Sequence, residues 1–214
     1  MFILSEKSSA AQFGLCVILT SPVAGYERCA EAAVACGVRY LQLRIKRECE
    51  NSSRAEIIAT ARRLKRITAG SPTLLIVNDD PLAALESGAD GVHLGQEDLP
   101  PDFHRESLPG LKLVGISTHN AGQARRTVEQ MRPDYIGVGP VFATPTKKDH
   151  APALGIEETA HIITASAPIP ALAIGGITPD KIPMLLAAKM RNIAVVSAVC
   201  AAKDPLAAIK GMLF

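Results

Sequence analysis

Tryptophan is absent from this chain of 214 residues, and aromatic side chains make up only 4% of it. A surface that stacks nucleic-acid bases needs aromatic planes, so that class of partner is not expected. Excess charge is missing too. The formal net charge of +2 is too small for a protein that binds a phosphate backbone or a membrane surface. No apolar run approaches the roughly 20 residues of a membrane-spanning helix. Nor does the opening MFILSEKSSAAQFG carry an unbroken apolar signal core, because Glu6, Lys7, Ser8 and Ser9 interrupt it. There are five cysteines (Cys16, Cys29, Cys36, Cys49 and Cys200), an odd number with no Cys-x-x-Cys pair. That argues against a disulfide framework or a zinc site, and reduced thiols in the cytoplasm are expected.

What the chain does have is a regular alternation. Apolar runs at 15–20, 40–46, 74–77, 91–94, 112–116, 134–138, 169–174 and 193–196 read as strands. Helical stretches fall between and after them, at 26–36, 52 or 53–68, 81–87, 100–108, 121–131, 156–166, 179–189 and 205–213. CGVRYLQLR, SGADGVHLG, RPDYIGVGP and MRNIAVVSA echo one another, each running from a helix end into a strand. No composition break marks a second domain. Residues 1–214 are expected to form one α/β domain, with 1–13 a loose lead-in. A doubly wound open sheet competes with a (β/α)₈ barrel. The count of eight favours the barrel, as do the polar residues gathered after the carboxyl ends of the strands, where barrel enzymes build their sites.

The densest signal is LLIVNDDPLAALESGADGVHLGQED, residues 74–98. It reads strand, helix, strand, with acids closing each strand. Parallel neighbours lie roughly 4.8 Å apart, so Asp79 and Asp98 are placed to converge on one ion. Two hard carboxylates suit Mg²⁺, which leaves its other positions to water and phosphate oxygens. Taken singly, either acid reads as well as a turn or helix-cap residue.

In LQLRIK, the side chains of Gln42, Arg44 and Lys46 share one face, and Leu41, Leu43 and Ile45 share the other. Covering helices need the apolar face, so the polar triplet points into the barrel, where two cations call for an anion. The alternative is an edge strand with a solvated polar face. The loop 139–154 carries Thr144, Thr146, Lys147 and Lys148 on a Gly/Pro-shaped segment that suits a phosphate clamp. Gly175-Gly176 and Val196-Ser197 close strands seven and eight, the usual phosphate corner of such barrels. Ser117 reads either as a phosphate contact or as a cap for the next helix. His93 faces the barrel interior, as a site residue or as a satisfied core residue. No Ser-His-Asp or Cys-His pairing stands out, so no covalent nucleophile is expected. Two anion-binding regions without an evident general base point to a transfer reaction with diphosphate as leaving group.

These stretches also carry a family resemblance. LQLRIK (41–46), IVNDD (76–80), DGVHLGQEDL (90–99), GISTHN (115–120), GPVFATPTKKD (139–149), AIGGI (173–177) and VVSA (195–198) closely resemble the motifs of thiamine-phosphate synthases, in that family's order. The resemblance implies a (β/α)₈ barrel and a Mg²⁺-dependent transferase. Such an enzyme joins 4-amino-2-methyl-5-(diphosphooxymethyl)pyrimidine to 4-methyl-5-(2-phosphooxyethyl)thiazole by a dissociative route. It implies Asp79 and Asp98 as metal ligands. Gln42, Arg44, Lys46, Asn78, Ser117 and Lys147 would meet the pyrimidine and its diphosphate, with Arg44, Lys46, Ser117 and Lys147 catalytic. Thr144, Thr146, Gly176, Val196 and Ser197 would hold the thiazole phosphate. Three departures from the family pattern lie outside these contacts: Arg47, Ser21, and Asn192, which is expected to take a left-handed turn before strand eight. The rival readings are a thiazole tautomerase of the same superfamily and a non-catalytic phosphate-ligand sensor. A homo-oligomer is compatible with all three.

Overall fold

The computed structural model describes residues 12–45, 53–100, 102–144 and 152–214. Each apolar run folds as a short buried strand: β1 (Leu15–Leu19), β2 (Tyr40–Leu43), β3 (Leu74–Asn78), β4 (Gly91–Leu94), β5 (Leu113–Thr118), β6 (Tyr135–Val138), β7 (Ala171–Ala173) and β8 (Ile193–Val195). They pair in sequence order and close into a barrel, β8 returning to β1 through Leu15↔Ile193, Cys16↔Ala194 and Val17↔Val195. The pairing is parallel throughout. The open-sheet alternative therefore falls. β2 is no edge strand, because it pairs with β1 on one side and β3 on the other.

The helices lie outside, and their starts follow from the sequence. α1 (Tyr26–Ala35) follows β1. α2 (Arg54–Thr68) opens on a reciprocal capping box between Ser53 and Glu56. α3 (Pro81–Ser87) has Asp80 as its cap, Pro81 in its first turn and left-handed Gly88 at its end. α4 (Ala121–Arg126) is capped by Asn120 and runs into a wider turn over Thr127–Met131. α5 (Gly155–Ala165), α6 (Ile182–Ala187), α7 (Ser197–Cys200) and α8 (Pro205–Lys210) complete the described helices. The helix expected at 100–108 is instead a single 3₁₀ turn, Arg105–Ser107. Pro100 and Pro101 supply no N–H donors, and Pro109 follows closely. Arg105 holds the segment in place of a helix. It donates to the Leu108 and Leu111 carbonyls at 3.0 and 2.7 Å and pairs with Asp134.

The period-two pattern of the strands sends apolar side chains to both sides of the barrel wall. Outward residues such as Leu41, Leu43, Val77, Val92 and Leu94 pack against helix faces, among them Ile57, Ala61 and Leu64 of α2. Truncating a fully buried leucine of this shell to alanine costs about 2–5 kcal/mol. Inside the barrel, Phe13, Cys16, Ile18, Tyr40, Ile76, Tyr135, Leu172 and Ala194 form a second core. The scarce aromatics concentrate here. Phe13 stacks on Tyr40 with centroids 4.0 Å apart, and both contact Tyr135.

Phe13 is thus not part of a loose lead-in. It plugs the amino-terminal end of the barrel, and its amide donates to Asn192 Oδ1 at 2.8 Å. Asn192 is needed for that bond and does not take the left-handed conformation. Lys189 does, at φ 63°. The described cysteines are unpaired thiols, and burial pushes Cys16 up to about 12. Among the described residues no helix is long and apolar enough to cross a membrane.

Candidate active site

The carboxyl ends of the strands open onto a cavity of about 1040 Å³. Gln42, Arg44, Asn78, Asp79, Asp98, Ser117, Thr144, Gly176, Val196 and Ser197 all line it. Seven strand ends or the loops beyond them thus bring their predicted residues to one space. Lys46, Thr146 and Lys147 lie outside the described residues.

The end of β3 divides its acids by task. Asp79 has φ 63°, a conformation that asparagine and aspartate tolerate better than most residues. Its amide donates to the His93 carbonyl at 2.8 Å, which fixes that turn against β4. Asp80 takes the helix-cap role, accepting the Ala83 amide at 2.9 Å and Arg54 Nε at 2.7 Å. At the end of β4, Asp98 Oδ2 accepts the Gly95 amide at 2.7 Å. Asp98 is therefore both a turn residue and a cavity residue. Gln96 extends the same loop across to β5, donating to the Ser117 carbonyl at 2.7 Å.

At the end of β5, Ser117 is not the helix cap. Asn120 is, accepting the Gln123 amide at 2.9 Å. The Ser117 hydroxyl instead meets His93 Nε2 at 2.9 Å, while His93 Nδ1 meets the Tyr135 hydroxyl at 3.0 Å. His93 is buried and faces inward, as the alternation of β4 requires. Burial raises the Tyr135 pKa well above the usual phenol value, so this hydroxyl stays protonated.

The glycine pair after β7 is dictated by packing. A Cβ on Gly176, at φ +62°, would lie 2.6 Å from the Ala143 carbonyl oxygen, and one on Gly175 would lie 2.5 Å from Pro140 Cβ. The loop after β6 crosses here, with the Phe142 amide donating to the Gly175 carbonyl at 3.0 Å. Lys181 clamps the crossing. Its ammonium donates to the Gly176 carbonyl at 2.7 Å and sits 4.4 Å from the Phe142 ring centroid. Thr144, on the same loop, lines the cavity, as do Val196 and Ser197.

Sequence reasoning assigned no role to Gln96, Arg54 or His119, which also line the cavity. His119 Nδ1 bonds the Gly139 carbonyl at 2.7 Å and so ties β5 to the start of the long loop. Local patterning carries no signal for such cross-strand links.

Among the described residues, no cluster of three or more His, Cys, Asp or Glu side chains forms a self-contained metal cage. The two carboxylates predicted as ligands, Asp79 and Asp98, both line the cavity, after the neighbouring strands β3 and β4. That set fits Mg²⁺, which takes one or two carboxylates and fills its octahedron with water and phosphate oxygens.

The comparisons with known proteins agree with one another. Residues 16–199 match the family model described as thiamine monophosphate synthase. The chain is 40% identical over 183 residues to the thiamine-phosphate synthase of Laribacter hongkongensis, covering 86% of this chain and 83% of that one. It is 43% identical over 188 residues to the thiamine-phosphate synthase of Gloeobacter violaceus. There it covers 88% of this chain but spans only 53% of the relative's length. Among solved structures, the thiamine phosphate pyrophosphorylase of Pyrococcus furiosus superposes with a TM-score of 0.83 at 30% identity, covering 96% of both chains. A 3-hexulose-6-phosphate synthase superposes with a TM-score of 0.64 at 18% identity, a likeness of fold alone.

Proposed function

The chain belongs to the thiamine monophosphate synthase family, and we propose that it is a transferase joining the pyrimidine diphosphate and thiazole phosphate named above into thiamine phosphate and diphosphate. One observation carries this reading. Asp79, Asp98 and Arg44 meet in the same cavity as Gly176, Val196 and Ser197, which come from the far side of the barrel. The first group suits a diphosphate. The second is small and hydroxyl-bearing and suits a monophosphate.

In this reading Asp79 and Asp98 hold Mg²⁺, which when bound neutralises charge on the departing diphosphate. Arg44, Lys46 and Lys147 add positive charge to the same oxygens, and Asn78 and Ser117 donate hydrogen bonds to the pyrimidine substrate. Gln42 orients the aminopyrimidine ring. Thr144, Thr146, Gly176, Val196 and Ser197 hold the thiazole phosphate so that its ring nitrogen faces the pyrimidine methylene. The methylene C–O bond breaks first, its electron pair leaving with diphosphate, and the electron-rich ring stabilises the resulting cation. The thiazole nitrogen lone pair then forms the new C–N bond. Neither step moves a proton, which accords with a cavity that offers charge and hydrogen-bond donors to the departing diphosphate. Binding both halves in one cavity also removes much of the entropic cost of bringing them together.

The test is product formation. Incubated with both phosphorylated halves and Mg²⁺, the purified chain is expected to yield thiamine phosphate, identified by mass. Isomerisation of a thiazole carboxylate phosphate without that product would favour the tautomerase. Binding without any turnover would favour the sensor.

A further inference from the structure

Tyr135 lies beneath the cavity and is not part of its lining, yet its hydroxyl is the end of a hydrogen-bond chain that reaches the cavity at Ser117. The links are Tyr135 Oη to His93 Nδ1 at 3.0 Å and His93 Nε2 to Ser117 Oγ at 2.9 Å. We propose that Tyr135 is a positioning residue which, through His93, turns the Ser117 hydroxyl hydrogen toward the anion in the cavity.

The direction follows from counting protons. A neutral imidazole donates from one nitrogen and accepts at the other. The buried Tyr135 hydroxyl keeps its proton and has His93 Nδ1 at 3.0 Å to give it to. His93 then carries its hydrogen on Nε2 and donates to Ser117 Oγ. That leaves the serine hydrogen to point elsewhere, and the cavity is what Ser117 lines. The reverse polarity would spend the serine hydrogen on His93 and present oxygen lone pairs to a phosphate, which repels them. An anionic ligand thus selects one direction for the whole chain.

The strands leave room for this arrangement at two glycines. A Cβ on Gly115 would fall 2.1 Å from Tyr135 Cζ, and one on Gly137 would fall 3.3 Å from His93 Cε1. Side chains at those places would dislodge the phenol or crowd the imidazole. The His93 and Tyr135 rings lie 5.5 Å apart, and Tyr135 is held in the inner core.

The proposal rests on the diphosphate reading of the cavity, and its test is built to fail separately from that reading. Nitrogen-15 NMR of the unmodified protein reports the His93 tautomer directly. The expected state is Nε2–H, made firmer by Mg²⁺ and inorganic diphosphate. Affinity for inorganic diphosphate is then measured by calorimetry in the unmodified protein, Tyr135→Phe, Ser117→Ala and the double variant. Each single change is expected to weaken binding about tenfold, the scale of one hydrogen bond to a charged group. The double variant should be no weaker than Ser117→Ala. An Nδ1–H tautomer with diphosphate bound, or losses that multiply in the double variant, overturns the proposal. A protein that binds diphosphate and shows the relay but forms no thiamine phosphate contradicts the synthase reading instead. The tautomer is read without any substitution, so a variant that folds poorly does not remove the test.

Discussion

Asp79 and Asp80 are adjacent carboxylates with separate work. Both line the cavity, but Asp79 sits in a left-handed turn, while Asp80 accepts the Ala83 amide as a helix cap and pairs with Arg54. Substituting them should therefore separate activity from stability. Asp79→Asn keeps a residue that tolerates the left-handed turn and is expected to lose about a hundredfold in kcat, the scale of one lost electrostatic contact to the transition state. Its urea midpoint should stay near that of the parent. Asp80→Ala is expected to lower stability by about 1–2 kcal/mol through the lost helix cap, seen as a lower urea midpoint. Equal stability losses in the two variants would contradict this division.

Gly176 holds the crossing of the loop after β6. Gly176→Ala places a methyl against two carbonyl oxygens at a positive φ, and overpacking of this kind costs about 1–3 kcal/mol. The loop must shift to relieve it and carries Thr144 with it. The expected kinetic signature is a raised KM for the thiazole phosphate with little change for the pyrimidine diphosphate. Initial-rate kinetics with each substrate varied in turn reads it.

Asn192 ties the barrel floor together across the chain, accepting from the Phe13 and Gly14 amides at 2.8 and 3.3 Å. Asn192→Ala leaves the buried Phe13 amide without this partner, which costs about 1–3 kcal/mol. Thermal unfolding should show a lower Tm, and amide exchange near Phe13 and Gly14 should quicken. Exchange there that matches the parent would remove Asn192 from this role.

Asp90 gives the fold a defined acid response. It is buried, and burial pushes its carboxyl up. The Lys65 and Lys112 bonds and the Leu75 amide outweigh that and hold it below its ordinary 3.8. A carboxyl with a lower pKa in the folded state binds fewer protons folded than unfolded in the interval between the two values. Its stabilisation is therefore complete above 3.8 and is lost as pH falls through the depressed folded value. Lys112 is well exposed, so the Lys65 bond and the Leu75 amide carry most of the effect. Urea unfolding between about pH 6 and pH 3 should show stability falling at the acid end. In Asp90→Asn stability is lower at neutral pH and the acid slope is shallower. An unchanged slope would contradict the assignment.

The barrel was legible in the sequence because period-two strands and capped helices are local patterns repeated in order. The 100–108 helix was misread because a proline pair followed by a polar, charged stretch looks like a helix start, and the Arg105 clamp to Leu108, Leu111 and Asp134 is what reveals the turn. Phe13 was assigned to a loose start because its partners, Tyr40, Tyr135 and Asn192, are distant in sequence. The cavity residues were found because they follow strand ends, a position that sequence encodes. The Tyr135–His93–Ser117 chain was not, because it joins three strands through their inward side chains. Gly115 and Gly137 were its only local traces, and a lone glycine in a strand does not say what it makes room for.

The most direct test of the central claim is diphosphate release from the purified chain, with and without each phosphorylated half and Mg²⁺, alongside Asp98→Ala. Release is expected to need both halves and Mg²⁺ and to fall about a hundredfold or more in the variant. Release that ignores the thiazole phosphate, or that survives in Asp98→Ala without loss, would contradict it. So would a folded protein that binds thiazole phosphate and releases nothing.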